Sequence, residues 1–410
     1  MKSKIYYYDS AAAATGGHLV GSNSPNRYTC FQRAVYQDGN PAYAIASIEV
    51  TADGMVIKTN PANKANDFLP HMTVLIKNGS NEKVNGYHRI TRVTTDGIIV
   101  KAPTGLSVGA IPNASQYYLY LASIPTTIVT GSTRDISFQF NSSEAGALNY
   151  GFGIFDNGTY TYAHAYFRKI GYTSYGQGNG VIGYGFWPTT INFTATSKTR
   201  CWIVANDRFI YFISNADDDL SKPSVTVFVG DLISPPTGDP LKENFVLCAA
   251  ESYPSLTATS NTACTIRTGT SILSTVDPNI KVATRAMTSN ADGMGAYMVA
   301  PVPGASSTGF MSGNTIFKPV NGQYTLLPVS IVDRAGYDRG RVPGLYYIKE
   351  YAYGVFTHGS IIKGYGDLAN RDFLVVYSNY NSIVTAVLPQ MATPTQNVSV
   401  YLIDITGPWE

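Results

Sequence analysis

The chain has 410 residues, of which 44% are hydrophobic and 14% charged, with 29 Lys+Arg against 27 Asp+Glu. That length predicts two or three domains, and the hydrophobic fraction excludes wholesale disorder. The near balance of charge excludes the electrostatic footprint of a nucleic-acid binder or a polybasic membrane-surface protein.

The chain opens Met1-Lys2-Ser3-Lys4-Ile5-Tyr6-Tyr7-Tyr8-Asp9, moving directly from charge into tyrosine. Ala11–Ala14 is too short and too weakly apolar to be a secretory-signal core, so the expectation is synthesis in a cytosol without cleavage. Residues 1–27 carry Gly16-Gly17 and Ser22-Asn23-Ser24-Pro25 with little apolar content after Tyr8, the pattern of an extended N-terminal arm. No apolar run anywhere reaches the roughly 18–20 residues that span a bilayer, and no membrane insertion is expected.

Residues 28–125 read as a small β domain. An Asp53-Gly54 turn precedes the apolar Met55-Val56-Ile57, and Val74–Ile76 and Tyr87–Val93 flank Asn85-Gly86. Thr91–Val93 and Ile98–Val100 flank Asp96-Gly97, a strong short-range hairpin signal.

A second, sandwich-like β domain is predicted over residues 126–276. Ile136–Phe140 alternates as a half-buried strand should. Trp202–Ala205 and Arg208–Ile213, joined at Asn206-Asp207, form a hairpin whose near-continuous apolar arms point to a central position. Val225–Val229 is a further core strand, and Ser234–Pro240 is a loop by composition. Residues 277–410 are either a third β domain or the closing strands of the second. They begin with a Gly/Ser/Met-rich stretch, Ser289–Gly313, that reads as loop. Strands resume at Tyr324–Val332, Gly344–Lys349, Phe373–Tyr377, Ile383–Val387 and Val398–Ile403. The fold class is therefore mainly β: two or three antiparallel β-sandwich or barrel-like domains with long loops and an extended N-terminal arm.

No catalytic, cofactor-binding or metal-binding residue emerges. The histidines His18, His71, His88, His164 and His358 are scattered, without H-x-H or H-x-x-x-H spacing. Asp217-Asp218-Asp219 offers oxygens to Ca²⁺ but lacks EF-hand spacing and reads as a solvated acidic loop. Gly178–Gly183 matches G-x-G-x-x-G formally, yet no helix start follows, and it reads as a Tyr/Gly loop. Cys30, Cys201, Cys248 and Cys264 contain no C-x-x-C pair and read as buried thiols more readily than as bridges. No G-x-S-x-G elbow is present, so an enzyme is not expected; paired carboxylates, as in a polysaccharide-degrading enzyme, stay open.

The positive signal is tyrosine: 30 Tyr against 17 Phe and 3 Trp. A phenol buries its ring and keeps one hydrogen bond, which suits protein interfaces and glycan stacking as well as strands. Candidate contact residues are Tyr6, Tyr7 and Tyr8, Tyr172 and Tyr175, and Tyr346 and Tyr347, with Arg339 and Arg341. The segment Arg339-Gly340-Arg341-Val342-Pro343-Gly344 reads either as a rigid basic loop that clamps a neighbour's carboxylates or as a type II Pro-Gly turn.

Three stretches carry a family likeness: Met72–Gly79 with Val84–Val93; Arg200–Phe212 followed by Val229–Leu232 and Pro236–Asp239; and Asp338–Tyr346. In order, they resemble segments of uncharacterised structural proteins of tailed bacteriophages associated with the tail or baseplate. The resemblance implies a virion component present in several copies, made in the host cytoplasm. It would assemble with copies of itself, as a homo-oligomer, and with other virion proteins. Alternatives are a receptor-binding tail protein that takes host surface glycan, and a capsid-decoration or head-fibre protein.

Overall fold

The computed structural model describes residues 4–15, 25–35, 40–125, 127–131, 135–140, 150–156, 160–167, 181–188, 200–214, 220, 224–233, 244–248, 280–284, 294–299, 322–333, 337–348, 352, 354–379 and 398–409. The expectations for Tyr172, Tyr175, Asp217–Asp219, Ser234–Pro240 and Ile383–Val387 lie outside the described residues. The fold is mainly β and antiparallel, as the composition predicts.

The chain begins with β1 (Tyr6–Asp9), followed by the single described α-helix, α1 (Pro25–Val35). This helix was not anticipated. Its local signals are Pro25 at the first helical position and the run Cys30, Phe31, Ala34, Val35, which falls on one face and is fully buried.

Next come β2 (Tyr43–Thr51), β3 (Gly54–Asn60), β4 (Thr73–Lys77), β5 (Gly86–Val93), β6 (Gly97–Val100), β7 (Gly109–Ala110) and β8 (Tyr118–Leu121). The order β3-β6-β5-β4-β8-β2 returns to β3, closing a six-stranded barrel to which β7 is appended. Closure removes free strand edges, and the interior fills with aliphatic side chains such as Ile48, Ile57, Val74 and Val100. The turn signals have local causes. Gly54 opens β3 at φ 138°, and an added Cβ there would lie 2.4 Å from the Val100 carbonyl oxygen of β6. The Asp96-Gly97 hairpin forms with Val93 opposite Ile98. Asn85 closes the β4–β5 loop by accepting from the Gly79 N–H (3.1 Å) and donating to its carbonyl (2.8 Å).

A five-stranded sheet follows, made of β9 (Thr127–Gly131), β10 (Asp135–Phe140), β11 (Tyr150–Asp156), β12 (Tyr160–Phe167) and β13 (Val181–Pro188), paired in chain order. Phe138, Gln139 and Phe140 are all buried, so this end of β10 is covered on both faces rather than half-buried. Gly183, expected in a loop, lies within β13.

The remaining strands are β14 (Cys201–Ala205), β15 (Phe209–Ser214), β16 (Val225–Asp231), β17 (Asn244–Cys248), β18 (Ile280–Thr284), β19 (Met294–Val299), β20 (Leu326–Asp333), β21 (Asp338–Ile348), β22 (Ile361–Lys363), β23 (Asp372–Asn379) and β24 (Val398–Asp404). With β1 they make one twelve-stranded sheet, ordered β1-β14-β15-β16-β17-β18-β19-β20-β21-β24-β23-β22. The β14–β15 hairpin forms with Ala205 opposite Ile210 and its described side chains buried; it is not an edge, but it lies near one end of the sheet, with only β1 beyond β14. The strands of the last third extend this sheet, and Met294–Val299 is a strand where the sequence suggested loop.

The long sheet curls back on itself. Ile233, just past β16, exchanges backbone hydrogen bonds with Arg341 of β21 at 2.9 and 2.8 Å. The Tyr211 hydroxyl donates to the Pro343 carbonyl at 2.5 Å, and the rings of Tyr211 and Trp409 meet edge to face at 5.8 Å. One continuous buried cluster runs from Ile5 through the barrel and both sheets to Ile405.

Arg339–Gly344 is neither loop nor turn: it lies inside β21. Arg341 faces Ser330 and Tyr346 faces Pro328, so Val342–Leu345 bulge opposite the single residue Val329. A bulge is where a strand tolerates Pro and a positive-φ Gly. Gly344 has φ 67°, and a Cβ there would sit 2.3 Å from the Trp409 indole nitrogen.

Gly344→Ala and Gly54→Ala are each expected to cost about 2 kcal/mol or more, from left-handed backbone strain plus a clash with fixed atoms. Urea denaturation measures this; unchanged midpoints would show that neither close approach is rigid.

Candidate functional site

The polar chemistry of the described residues concentrates around β1, where the strand runs between the barrel and the twelve-stranded sheet. β1 pairs with β14 in the register Tyr6↔Ala205 to Asp9↔Trp202. On its other side the Thr73 hydroxyl of β4 donates to the Ile5 carbonyl at 3.2 Å. The sequence read this segment as an arm bearing three contact tyrosines. Instead Tyr6, Tyr7 and Tyr8 are buried within their own chain. The Tyr6 ring meets Tyr87 edge-on at 5.8 Å, and the Tyr8 hydroxyl donates to the Ala122 carbonyl at 2.6 Å. Burial raises all three phenols well above the ordinary tyrosine value, with the Asp9 charge adding to the effect on Tyr7.

Asp9 ends the strand and fixes it. Its carboxylate accepts from Arg200 Nε (3.1 Å) and Nη2 (2.6 Å), Trp202 Nε1 (3.1 Å), the Ala11 N–H (2.9 Å) and the Tyr7 hydroxyl (3.4 Å). The Arg200 guanidinium also lies 5.2 Å from the Trp202 ring centroid. A carboxylate so fully engaged has no lone pair left for general-base work or for a metal.

Two further buried carboxylates repeat this solution. Asp333 takes Arg339 Nε (2.8 Å) and Nη2 (2.5 Å) together with the Tyr337 N–H (3.0 Å). Asp404 takes Arg371 on one oxygen and the Thr406 and Gly407 N–H groups on the other. Arg339, read from the sequence either as clamping a neighbour's carboxylate or as flanking an ordinary turn, clamps a carboxylate of its own chain. Arg341 is half-buried and tied through its backbone to Ile233. Tyr346 is half-buried, edge-on to Phe373 at 5.6 Å, and Tyr347 is buried beside Tyr401. These residues are framework.

A partly exposed cluster bridges the barrel and the large sheet. Arg89 Nη2 lies 3.0 Å from His71 Nδ1 and 3.3 Å from Asp372 Oδ2, and His71 lies 3.5 Å from the same carboxylate. An arginine donating to both groups ties elements together and leaves no relay from base to nucleophile. Burial, followed by the Arg89 charge, lowers the pKa of His71. His358 is enclosed, with Trp202 at 5.1 Å and Tyr377 stacked at 5.3 Å, and its Nδ1 accepts from the Tyr377 N–H at 3.2 Å. Burial lowers its pKa to about 4, and Arg200 adds to the effect. Among the described residues no group of three or more His, Cys, Asp or Glu is placed to hold a metal ion, and no helix is long and apolar enough to cross a membrane.

Sequence reasoning missed Asp9, Arg200, Asp372 and His358. Each works through a partner far away in the chain, so no local spacing marks it. No family model matches the chain, and no curated protein matches it.

Asp9→Asn, which leaves the Arg200 guanidinium facing a neutral amide, is expected to cost about 2–4 kcal/mol in a chemical denaturation curve. Below pH 6.5 the unfolded chain takes up a proton at His358 that the folded chain refuses until about pH 4. Stability should therefore fall by roughly 3 kcal/mol as pH drops across that window. His71 and His88, also lowered by burial, add to the slope. A His358→Asn variant should show a shallower pH dependence of its denaturation midpoint; the same slope as the parent would remove His358 from the account.

Proposed function

We propose that the protein is a structural component of a tailed-bacteriophage particle, placed in the tail or baseplate, which works by packing against copies of itself and other virion proteins. Of the residues that carry the family likeness, the first block covers β4 and β5, the second β14–β15 with the end of β16, and the third most of β21, while Pro236–Asp239 of the second block lies outside the described residues.

The observation that carries the reading is the contrast between inside and outside. Asp9, Asp333 and Asp404 are consumed by arginines of the same chain, whereas two of the five exposed large apolar residues among those described, Val355 and Tyr365, stand out at one end of the long sheet. There β22 is an edge strand that pairs with β23 alone among the described residues. Val355 and Tyr365 flank it at 54% and 83% exposure, with Ile361 and Ile362 half-buried between them. An open edge beside exposed apolar side chains is a surface suited to another protein.

A specific observation also favours receptor binding: the Tyr365 ring is open enough to stack on a sugar face. Binding of the full chain to host-surface polysaccharide, abolished by Tyr365→Ala, would favour that role over assembly.

The assembly reading expects the purified chain to be oligomeric by light scattering. A Val355→Asp/Tyr365→Asp pair should shift it toward monomer with little change in melting temperature, and mass spectrometry should find the chain in purified particles. A monomeric parent chain that is absent from particles would overturn the reading.

A further inference from the structure

Three side chains meet where the barrel faces the β22 end of the twelve-stranded sheet. His71, just before β4, and Arg89, on β5, belong to the barrel; Asp372, at the start of β23, belongs to the sheet. Arg89 Nη2 lies 3.0 Å from His71 Nδ1 and 3.3 Å from Asp372 Oδ2. A guanidinium can only donate, so the first of these bonds requires Nδ1 to accept, which fixes His71 as the neutral Nε2–H tautomer. The backbones on either side are tied down. His71 has φ 72°, and its N–H donates to the Ile90 carbonyl at 2.7 Å while the Ile90 N–H donates to the Met72 carbonyl at 2.9 Å. The Asp372 N–H donates to Thr406 Oγ1 at 2.8 Å, and its carbonyl accepts from the Ile405 N–H at 2.9 Å. The His71, Arg89 and Asp372 side chains are 26%, 25% and 23% exposed, so solvent protons reach a cluster that water screens poorly.

We infer that His71, Arg89 and Asp372 form an acid-sensitive latch between the barrel and the β22–β23 end of the long sheet, closed while His71 is neutral and released when a proton occupies its Nδ1. Protonation turns the acceptor into a donor, so the Arg89–His71 hydrogen bond is lost and two cationic nitrogens face each other at 3.0 Å. His71 Nδ1 lies 3.5 Å from Asp372 Oδ2, the oxygen that Arg89 already uses, so imidazolium and guanidinium compete for one acceptor. The surrounding charges offer no relief. Lys363 of β22 stands opposite Asp372 in register, and its charge also acts against a proton on His71. Asp404, whose charge reaches Arg89, is bound to Arg371, and Tyr7, which also faces Arg89, is a buried phenol that stays neutral. The proton therefore adds a third cation around the single carboxylate of Asp372. Parting the barrel from the sheet end returns His71 and Arg89 to water, where both charges are solvated. Burial and the Arg89 charge disfavour the protonated imidazole in the closed state, so the open state takes up the proton first. Opening then grows as pH falls below about 6.5, by at most about tenfold per pH unit. The latch is independent of the role proposed above.

The test is hydrogen–deuterium exchange of the full-length chain at about pH 7.5 and about pH 5, expressed as protection factors so that the pH dependence of intrinsic exchange drops out. Protection at β5, β22 and β23 should fall severalfold in acid, while β14 and β15 keep theirs. His71→Asn should abolish the loss: Asn tolerates the positive φ, its amide oxygen accepts from Arg89, and it takes up no proton. Arg89→Gln keeps a donor but removes the charge. It should also blunt the loss and move the His71 titration, followed by NMR of the ¹⁵N-histidine-labelled chain, up toward its ordinary range. The loss should persist in His358→Asn, which separates the latch from the other buried imidazole beside β23. The same spectra of the parent chain need no variant to fold, and at about pH 7.5 they should show His71 as the neutral Nε2–H tautomer. A His71 already protonated at that pH, protection that is equal at both pH values, or a loss that survives in His71→Asn or vanishes in His358→Asn would each overturn the inference.

Discussion

The Asp9 carboxylate is the constraint on which the rest of the architecture depends. β1 is only four residues long, and all four are buried. Burying three tyrosine rings contributes about 2–3 kcal/mol each, while ordering the strand costs about 1–2 kcal/mol per residue plus side-chain freedom. These two terms come close to cancelling. The margin comes from the charge-assisted bonds at the end of the strand, each worth about 1.5–3 kcal/mol. Through them β1 covers the edge of β14, and its tyrosines reach the barrel at Tyr87 and Ala122. One short strand therefore connects the barrel, α1 and the twelve-stranded sheet.

The same device holds the opposite end of the chain. Asp404 and Arg371 secure the turn after β24, where the Trp409 indole N–H donates to the Asp404 carbonyl at 2.8 Å and its ring covers Phe209, Tyr211 and Gly344. Arg89 and Asp372 tie β5 to β23 across the seam. Both described ends are thus built into the core. By contrast the Lys58–Asp96 pair at 2.7 Å is open to water on both sides, where screening leaves little net stabilisation.

What the sequence revealed was local. The Asp53-Gly54 and Asp96-Gly97 turns and the Trp202–Ile213 hairpin are written in adjacent residues, and they formed at their expected places. What it concealed was non-local. Tyrosine alternation looks the same at an interface as in a core, so Tyr6–Tyr8 and Tyr346–Tyr347 could not be sorted without knowing what covers them. Asp9 meets Arg200 only because β1 lies against β14. Pro343-Gly344 was misleading for another reason: a bulge supplies the same backbone freedom as a turn, and only the register with β20 distinguishes them.

Hydrogen–deuterium exchange of the full-length chain, followed at the amides of Ile5–Ser10, tests the central claim most directly. If β1 is an integral strand held by Asp9, these amides exchange as slowly as those of β14 and β15. Exchange at the rate of an unstructured segment, with β14 and β15 still protected, would contradict it.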